Sequence, residues 1–338
     1  MVEKVLIIPV LVAFFVTLFL IPSWIRKSKG IGLVWPDMNK FKPREVAGSG
    51  GVVVVLGFIT GVLFYVAYNV FYLNLGDGFL VDILALTTSI LLLSSIAFVD
   101  DLLGWRKGGL AKKHRLILVL LASVPLIAIN AGRSEIGFPL LGTINLGILY
   151  PLFFIPLGIV GATTTFNFLA GFNGLESGNG IIILSALAIV AFLTGSSWLT
   201  AIALIMIASL IAFLIFNFSP AKVFPGDVLT YPVGGLIAIM AILGNFERVA
   251  FFFFIPYILE TFLKSRGRLK KYIFGSPNED GTLGLKYDKI YSLNHLSIFL
   301  MQKFGIKPTE KKVVFSIWLF QIVVIFLGFL IFRKGIFL

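Results

Sequence analysis

The sequence predicts an all-α, polytopic integral membrane protein with about ten spans, and three observations carry that expectation. Hydrophobic residues make up 58% of the chain and charged residues 13%, with a mean hydropathy of +1.01; a soluble domain is nearer half apolar and a quarter charged. The apolar residues fall in separate runs close to the roughly 20 residues that a helix needs to cross a hydrocarbon core. Those runs are too long for barrel strands, and a chain in lipid can satisfy its backbone only as helix or closed barrel.

In chain order the predicted spans are 5–25, 50–72, 80–99, 115–131, 146–166, 180–195, 198–217, 228–245, 249–264 and 312–332. The fourth is cut by Pro125, and the sixth and seventh are divided only by Gly195-Ser196-Ser197. The first apolar run, Val5 to Trp24, exceeds a signal-peptide core and lacks a small-residue cleavage site, so it is kept as a span. Residues 1–338 read as one membrane-embedded domain, with 265–311 as a loop covering the site. There are no cysteines, which excludes disulfides and thiolate metal sites.

Basic residues set the expected orientation. The odd-numbered loops hold 23 of the 28 Lys and Arg, including 11 between residues 264 and 312. These loops are therefore expected on the cytoplasmic side and both termini outside. The net charge of +12 is largely this asymmetry. It suits membrane lipid headgroups and phosphate-bearing ligands and gives no ground for nucleic acid binding.

The same loops concentrate polar chemistry. The first ends in Lys42-Pro43-Arg44-Glu45 and leads through Gly48, Gly50 and Gly51 into span two. The second begins with Asp100-Asp101 and ends in Lys112-Lys113-His114-Arg115. The third, Asn167 to Gly180, has three Asn, a Glu and four glycines, too many for a mere connector. Glycine permits close backbone approach and the amides both donate and accept, so it reads as a binding loop. The fourth is Ser219 to Asp227 and the fifth starts at Lys264. Asp227 with Asn167 could hold Mg2+ bridging a diphosphate, since that ion takes hard oxygen ligands and keeps places for phosphate and water. Surrounding cations would neutralise the remaining phosphate charge. The combination predicts transfer of a phosphorylated group onto a lipid at the interface.

Each element also has a plainer role. Asp100-Asp101 could be a polar stop, Asp227 an Asx cap on span eight, and the basic runs topology signals. Glu260 is expected to pair with Lys264 one turn on, and His114 and His295 are expected at the surface. Asn278-Glu279-Asp280-Gly281 reads as a hairpin turn, and 287–304 as an interfacial amphipathic helix. A transporter or flippase of anionic lipid or metabolite is the rival class. It calls for ionisable residues at mid-span and internal repeats, and the sequence has neither.

Asp100-Asp101, the run Asn167-Phe168-Leu169-Ala170-Gly171-Phe172-Asn173-Gly174-Leu175-Glu176 and Val223-Phe224-Pro225-Gly226-Asp227 resemble the motifs of the polyprenyl-phosphate N-acetylhexosamine-1-phosphate transferases. The second motif is closer to the dolichyl-phosphate N-acetylglucosamine branch than to the bacterial peptidoglycan enzyme. The resemblance implies this reaction: UDP-N-acetylglucosamine and a dolichyl-type polyprenyl phosphate give the lipid diphosphate sugar that starts N-glycan assembly, with UMP and with Mg2+ as cofactor. It implies Asn167 and Asp227 as metal ligands, Gly171 and Asn173 as uridine contacts, and Asp100 and Asp101 as the essential acidic pair. It also matches Arg115 to a phosphate-contacting position and Glu45 to a substrate-site position. In the last loop the dolichol branch has an Arg-His-Arg type segment, whereas this chain has Arg266-Gly267-Arg268 without the histidine. Two arginines can still clamp a diphosphate. The same reaction with another UDP-N-acetylhexosamine, for a cell-envelope polymer, is the alternative. A prokaryotic plasma membrane of archaeal type is favoured over the endoplasmic reticulum, and a homodimer is left open.

Overall fold

The computed structural model describes residues 7–72, 78–138 and 142–336. The first half runs α1 (Ile7–Gly30), β1 (Val34–Pro36), β2 (Glu45–Ala47), α2 (Gly51–Phe71), α3 (Leu80–Lys107), α4 (Lys112–Leu121), α5 (Val124–Ala128), β3 (Glu135–Phe138) and β4 (Gly142–Asn145). A π-helical turn (Tyr150–Phe154) leads into α6 (Ile155–Phe166), followed by α7 (Leu175–Leu193), α8 (Ser197–Asn217) and α9 (Asp227–Gly244). The chain ends with α10 (Glu247–Phe253), α11 (Ile255–Arg266), β5 (Ser276–Pro277), β6 (Leu283–Gly284), α12 (Leu293–Lys303), α13 (Glu310–Ile331) and α14 (Arg333–Ile336).

Among the described residues, α1, α2, α7, α8, α9, α13 and the Leu80–Gly104 stretch of α3 are long and apolar enough to cross a membrane, seven in all. The chain is an integral membrane protein. Of the other three predicted spans, 146–166 is one shorter helix, Tyr150–Phe166, opening with the π-helical turn, and two are built from two pieces: span 115–131 becomes α4 and α5, and span 249–264 α10 and α11. In both divided spans a proline stands in the first turn of the second piece: Pro125 and Pro256. There its missing N–H costs nothing, while its ring bars continuation of the helix before it. The Phe253 carbonyl at one such break accepts the Gln321 Nε2 of α13 at 2.8 Å.

α7, α8 and α9 form the centre, with α1 and α2 against α8, and α3 and α6 flanking α9. Lipid offers little hydrophobic drive between helices, so close contact must do the work. At Gly51 a Cβ would meet the Leu229 backbone nitrogen at 2.4 Å, and at Gly234 the Ala162 carbonyl at 2.7 Å. These glycines let α2 and α6 lie directly on α9.

The odd-numbered loops share one face of the bundle. The Gly50 and Gly51 N–H groups donate to the Phe224 and Pro225 carbonyls, both at 2.9 Å, and Phe224 N donates to Ala47 O at 2.7 Å. Arg44 adds a bond to Ala221 O at 2.8 Å. At the other face Phe79 stacks on Trp198 and the buried Tyr150 hydroxyl donates to Glu247.

Candidate active site

Inside α3, before its last turns, stand two adjacent acids, and a step of about 100° per residue sends them in different directions. Asp101 reaches α9, accepting from Asp227 N at 3.0 Å and Val228 N at 3.5 Å. It therefore satisfies the exposed N–H groups of a neighbouring helix. Gly226 makes this possible. Its φ is +71°, and a Cβ there would stand 2.2 Å from Asp101 Oδ2. Asp227 is thus not the cap of its own helix, and its carboxylate is left for other partners.

Asp100 instead accepts from Leu110 N at 2.6 Å and pairs with Arg115 Nη1 at 3.0 Å. The same nitrogen reaches Asp227 Oδ2 at 3.4 Å and the Tyr231 hydroxyl at 3.3 Å. Asn167, at the end of α6, brings its side chain to the Asp227 carboxylate. Two carboxylates thus share one guanidinium while Asp101 sits beside Asp227, a formal excess of two negative charges over Arg115 at the edge of the bundle. Uncompensated charge there is costly.

The binding loop closes the other side. Gly171 N donates to Glu176 Oε1 at 2.8 Å, and Gly171 O accepts from Asn39 Nδ2 at 2.9 Å. Asn173 Nδ2 donates to Asp37 Oδ2 at 3.0 Å and to Glu310 Oε2 at 3.3 Å, while Asn173 N donates to Glu310 Oε1 at 3.0 Å. Glu310, at the start of α13, also accepts from Ser219 Oγ at 3.0 Å and pairs with Lys40. One buried carboxylate so ties four segments together.

These groups line a cavity of about 600 Å³. Seven of the ten sequence-predicted residues are in its wall: Asp100, Asp101, Arg115, Asn167, Gly171, Asn173 and Asp227. Glu45 is exposed on β2, Arg266 is exposed at the end of α11 and Arg268 just after it, and none of these three lines the cavity. The wall also holds Glu176 of the binding loop, and Trp35, Asp37, Tyr272 and Phe274, which sequence reasoning did not single out. Asp37 carries the signal that exposed Asp100, a carboxylate at the edge of an apolar run.

Two expectations are corrected nearby. Glu260 is fully buried and, rather than pairing with Lys264, accepts from Ser292 Oγ at 3.1 Å and Leu293 N at 2.7 Å, holding the start of α12. His295 is not a surface residue but 1% exposed, its Nε2 lying 3.2 Å from Phe274 O. Burial pushes its imidazole below the usual histidine range, so the ring is neutral at pH 7. Asn294 beside it donates to Ala170 O at 3.2 Å, so α12 braces both the binding loop and the segment bearing Phe274. The 278–281 turn joins β5 to β6, with Asn278 N bonded to Thr282 O at 2.9 Å.

The donor set fits a hard divalent cation. Asp227 supplies a carboxylate, Asn167 an amide oxygen after rotation of its side chain, and the formal excess of two charges calls for such an ion. Among the described residues no three His, Cys, Asp or Glu side chains are grouped as a complete ligand shell. Substrate oxygens and water would complete it, as they commonly do for Mg2+.

The chain is similar to known proteins over most of its length. A protein of Saccharolobus solfataricus, provisionally described as UDP-N-acetylglucosamine–dolichyl-phosphate N-acetylglucosaminephosphotransferase, is 36% identical over 316 residues, 93% of this chain and 92% of the relative. The model of glycosyl transferase family 4 matches residues 83–245. The chain belongs to glycosyl transferase family 4. A Sulfolobus acidocaldarius protein with the same provisional description is 33% identical over 93% of this chain and 92% of its own length. A Dictyostelium discoideum protein described as the same transferase is 31% identical over 71% of this chain and 66% of its own. The family 4 segment runs from within α3 to the residue after α9 and so includes Asp100, Asp101, Arg115, Asn167 and Asp227. Asp37, Glu310 and Phe274 lie outside it.

Proposed function

We propose that the chain transfers N-acetylglucosamine 1-phosphate from UDP-N-acetylglucosamine to a dolichyl-type polyprenyl phosphate, releasing UMP. The observation that carries this reading is the convergence of Asp100, Asp101, Asp227, Asn167 and Arg115 on one cavity at the end of a membrane bundle. Its volume of about 600 Å³ suits a nucleotide sugar. The relatives' descriptions supply the sugar and the lipid.

An oxygen of the lipid phosphate attacks the phosphorus that bears the sugar. The new O–P bond forms as the bond to the bridging oxygen breaks, and UMP leaves with that oxygen and its electron pair. Asn167 and Asp227 would hold Mg2+, which when bound draws charge from the diphosphate. Arg115 neutralises phosphate oxygens, and Asp100 holds its guanidinium in place. Asp101 acts through α9, fixing the backbone that presents Asp227. Both amide hydrogens of Asn173 are engaged, so its carbonyl oxygen remains to accept from the N3–H of uracil, with Gly171 beside it. Glu45, Arg266 and Arg268 are assigned outer positions, where they attract anionic substrate.

The site is assigned to the cytoplasmic face, because 23 of 28 Lys and Arg lie in the loops of that face, and both termini to the outside. The two archaeal relatives favour a prokaryotic plasma membrane over the endoplasmic reticulum. The residues from 265 to 311 cover the cavity, with Tyr272 and Phe274 in its wall. UDP-N-acetylglucosamine labelled with 32P in the sugar-bearing phosphate tests the reaction. Label is expected in the lipid fraction; label retained in UDP would mean that the sugar alone moves, and the proposal would fall.

A further inference from the structure

Lys264 stands in the last turn of α11, does not line the cavity, and has no part in the site as described. Its Nζ lies 4.8 Å from the centroid of the Phe168 ring, the residue that follows Asn167. Glu260, one turn earlier, and Asp227, at the head of α9, both act on it electrostatically. Neither is in contact: among the described residues no carboxylate oxygen lies within 4.0 Å of it. One oxygen of Glu260 is committed to α12 through Ser292 and Leu293.

An ammonium has three donors, and a ring face attracts its charge without accepting hydrogen bonds as an oxygen does. Lys264 is half-buried, so bulk water compensates it only in part. The backbone after it fixes its place. Gly267 N and Leu269 N both fold back onto the Lys264 carbonyl, at 2.9 and 3.1 Å, and the exposed Arg266 and Arg268 lie in that turn. An unpaired cation, parked on an aromatic ring next to the Asn167–Asp227 pair, is built to receive an anion.

We propose that Lys264 is a second phosphate-contacting cation of this site, held by the Phe168 ring on the α11 side of Asn167 and Asp227. This rests on the transferase reading above. The phosphate can belong to the diphosphate of the nucleotide sugar or to the lipid acceptor, and the two are separable.

The test is UMP release by the full-length protein in detergent, with UDP-N-acetylglucosamine and a polyprenyl phosphate titrated in turn. Lys264→Met is expected to raise the KM of one substrate about 10-fold or more, as loss of a charge-assisted bond does. Its kcat should stay within about 3-fold, and Lys264→Arg should recover most of the loss. A raised KM for the sugar nucleotide assigns Lys264 to the donor, and one for the lipid assigns it to the acceptor. Phe168→Leu, which keeps an apolar side chain and removes the ring, should raise the same KM about 3-fold. It also serves if Lys264→Met does not elute as folded protein. Unchanged KM values in Lys264→Met, or in Phe168→Leu where that variant stands in, overturn the inference while wild-type turnover upholds the transferase reading. A wild type that makes no UMP overturns both.

Discussion

At the site face Asp101 takes up two N–H groups of α9, and Arg115 pairs with both Asp100 and Asp227. At the opposite face Glu247 has one neutral partner, the Tyr150 hydroxyl, and closes its end of the bundle with it. Both arrangements set acids against groups from other elements, but the first gathers three carboxylates around one arginine, whereas the second holds a single carboxylate in the field of Arg248. Stability alone favours the second kind, because each uncompensated carboxylate at a membrane edge costs free energy. The excess at the site face is what a cation and a phosphate ligand would use.

Substitutions that break this contrast are ordered by expected effect. Asp227→Ala should reduce UMP release by about 1000-fold or more while the protein elutes unchanged in detergent. Arg115→Ala should cost about 100-fold, measured as kcat/KM, because it removes the cation paired with both Asp100 and Asp227. Glu310→Ala strands donors of Asn173, Ser219 and Lys40, so thermal unfolding should show a loss of about 2 kcal/mol, with activity down about 10-fold.

Acidification probes the brace behind the cavity. Burial lowers the His295 pKa from its ordinary 6.5, so the unfolded chain takes up a proton first as pH falls. Its contribution to stability is complete above pH 6.5 and is lost as pH drops through the lower folded value. Melting temperatures of the wild type should therefore fall more steeply between pH 7 and 5 than those of His295→Gln. Glu247→Gln, at the opposite face, should leave kcat/KM within about 2-fold and cost about 1 kcal/mol of stability.

Asp100, Asp101, Asn167 and Asp227 were legible because a carboxylate or amide at the end of an apolar run stands out against its neighbours. The convergence of their loops followed from the alternation of spans. Glu310 was not legible in the same way, since its meaning depends on Asn173, 137 residues away in the chain. Local rules misled at Glu260, where the start of α12 outcompeted a lysine one turn away. They misled again at His295, which tertiary packing buries in a basic segment. Prolines were read only in part: Pro125 announced a break, while Pro256 divides a further span by the same chemistry.

The most direct measurement compares UMP production by wild type and Asp227→Ala, from UDP-N-acetylglucosamine and a polyprenyl phosphate, withholding lipid and Mg2+ in turn. The account predicts UMP only from the wild type and only with both present. UMP made equally by Asp227→Ala, or by the wild type without lipid, would contradict it.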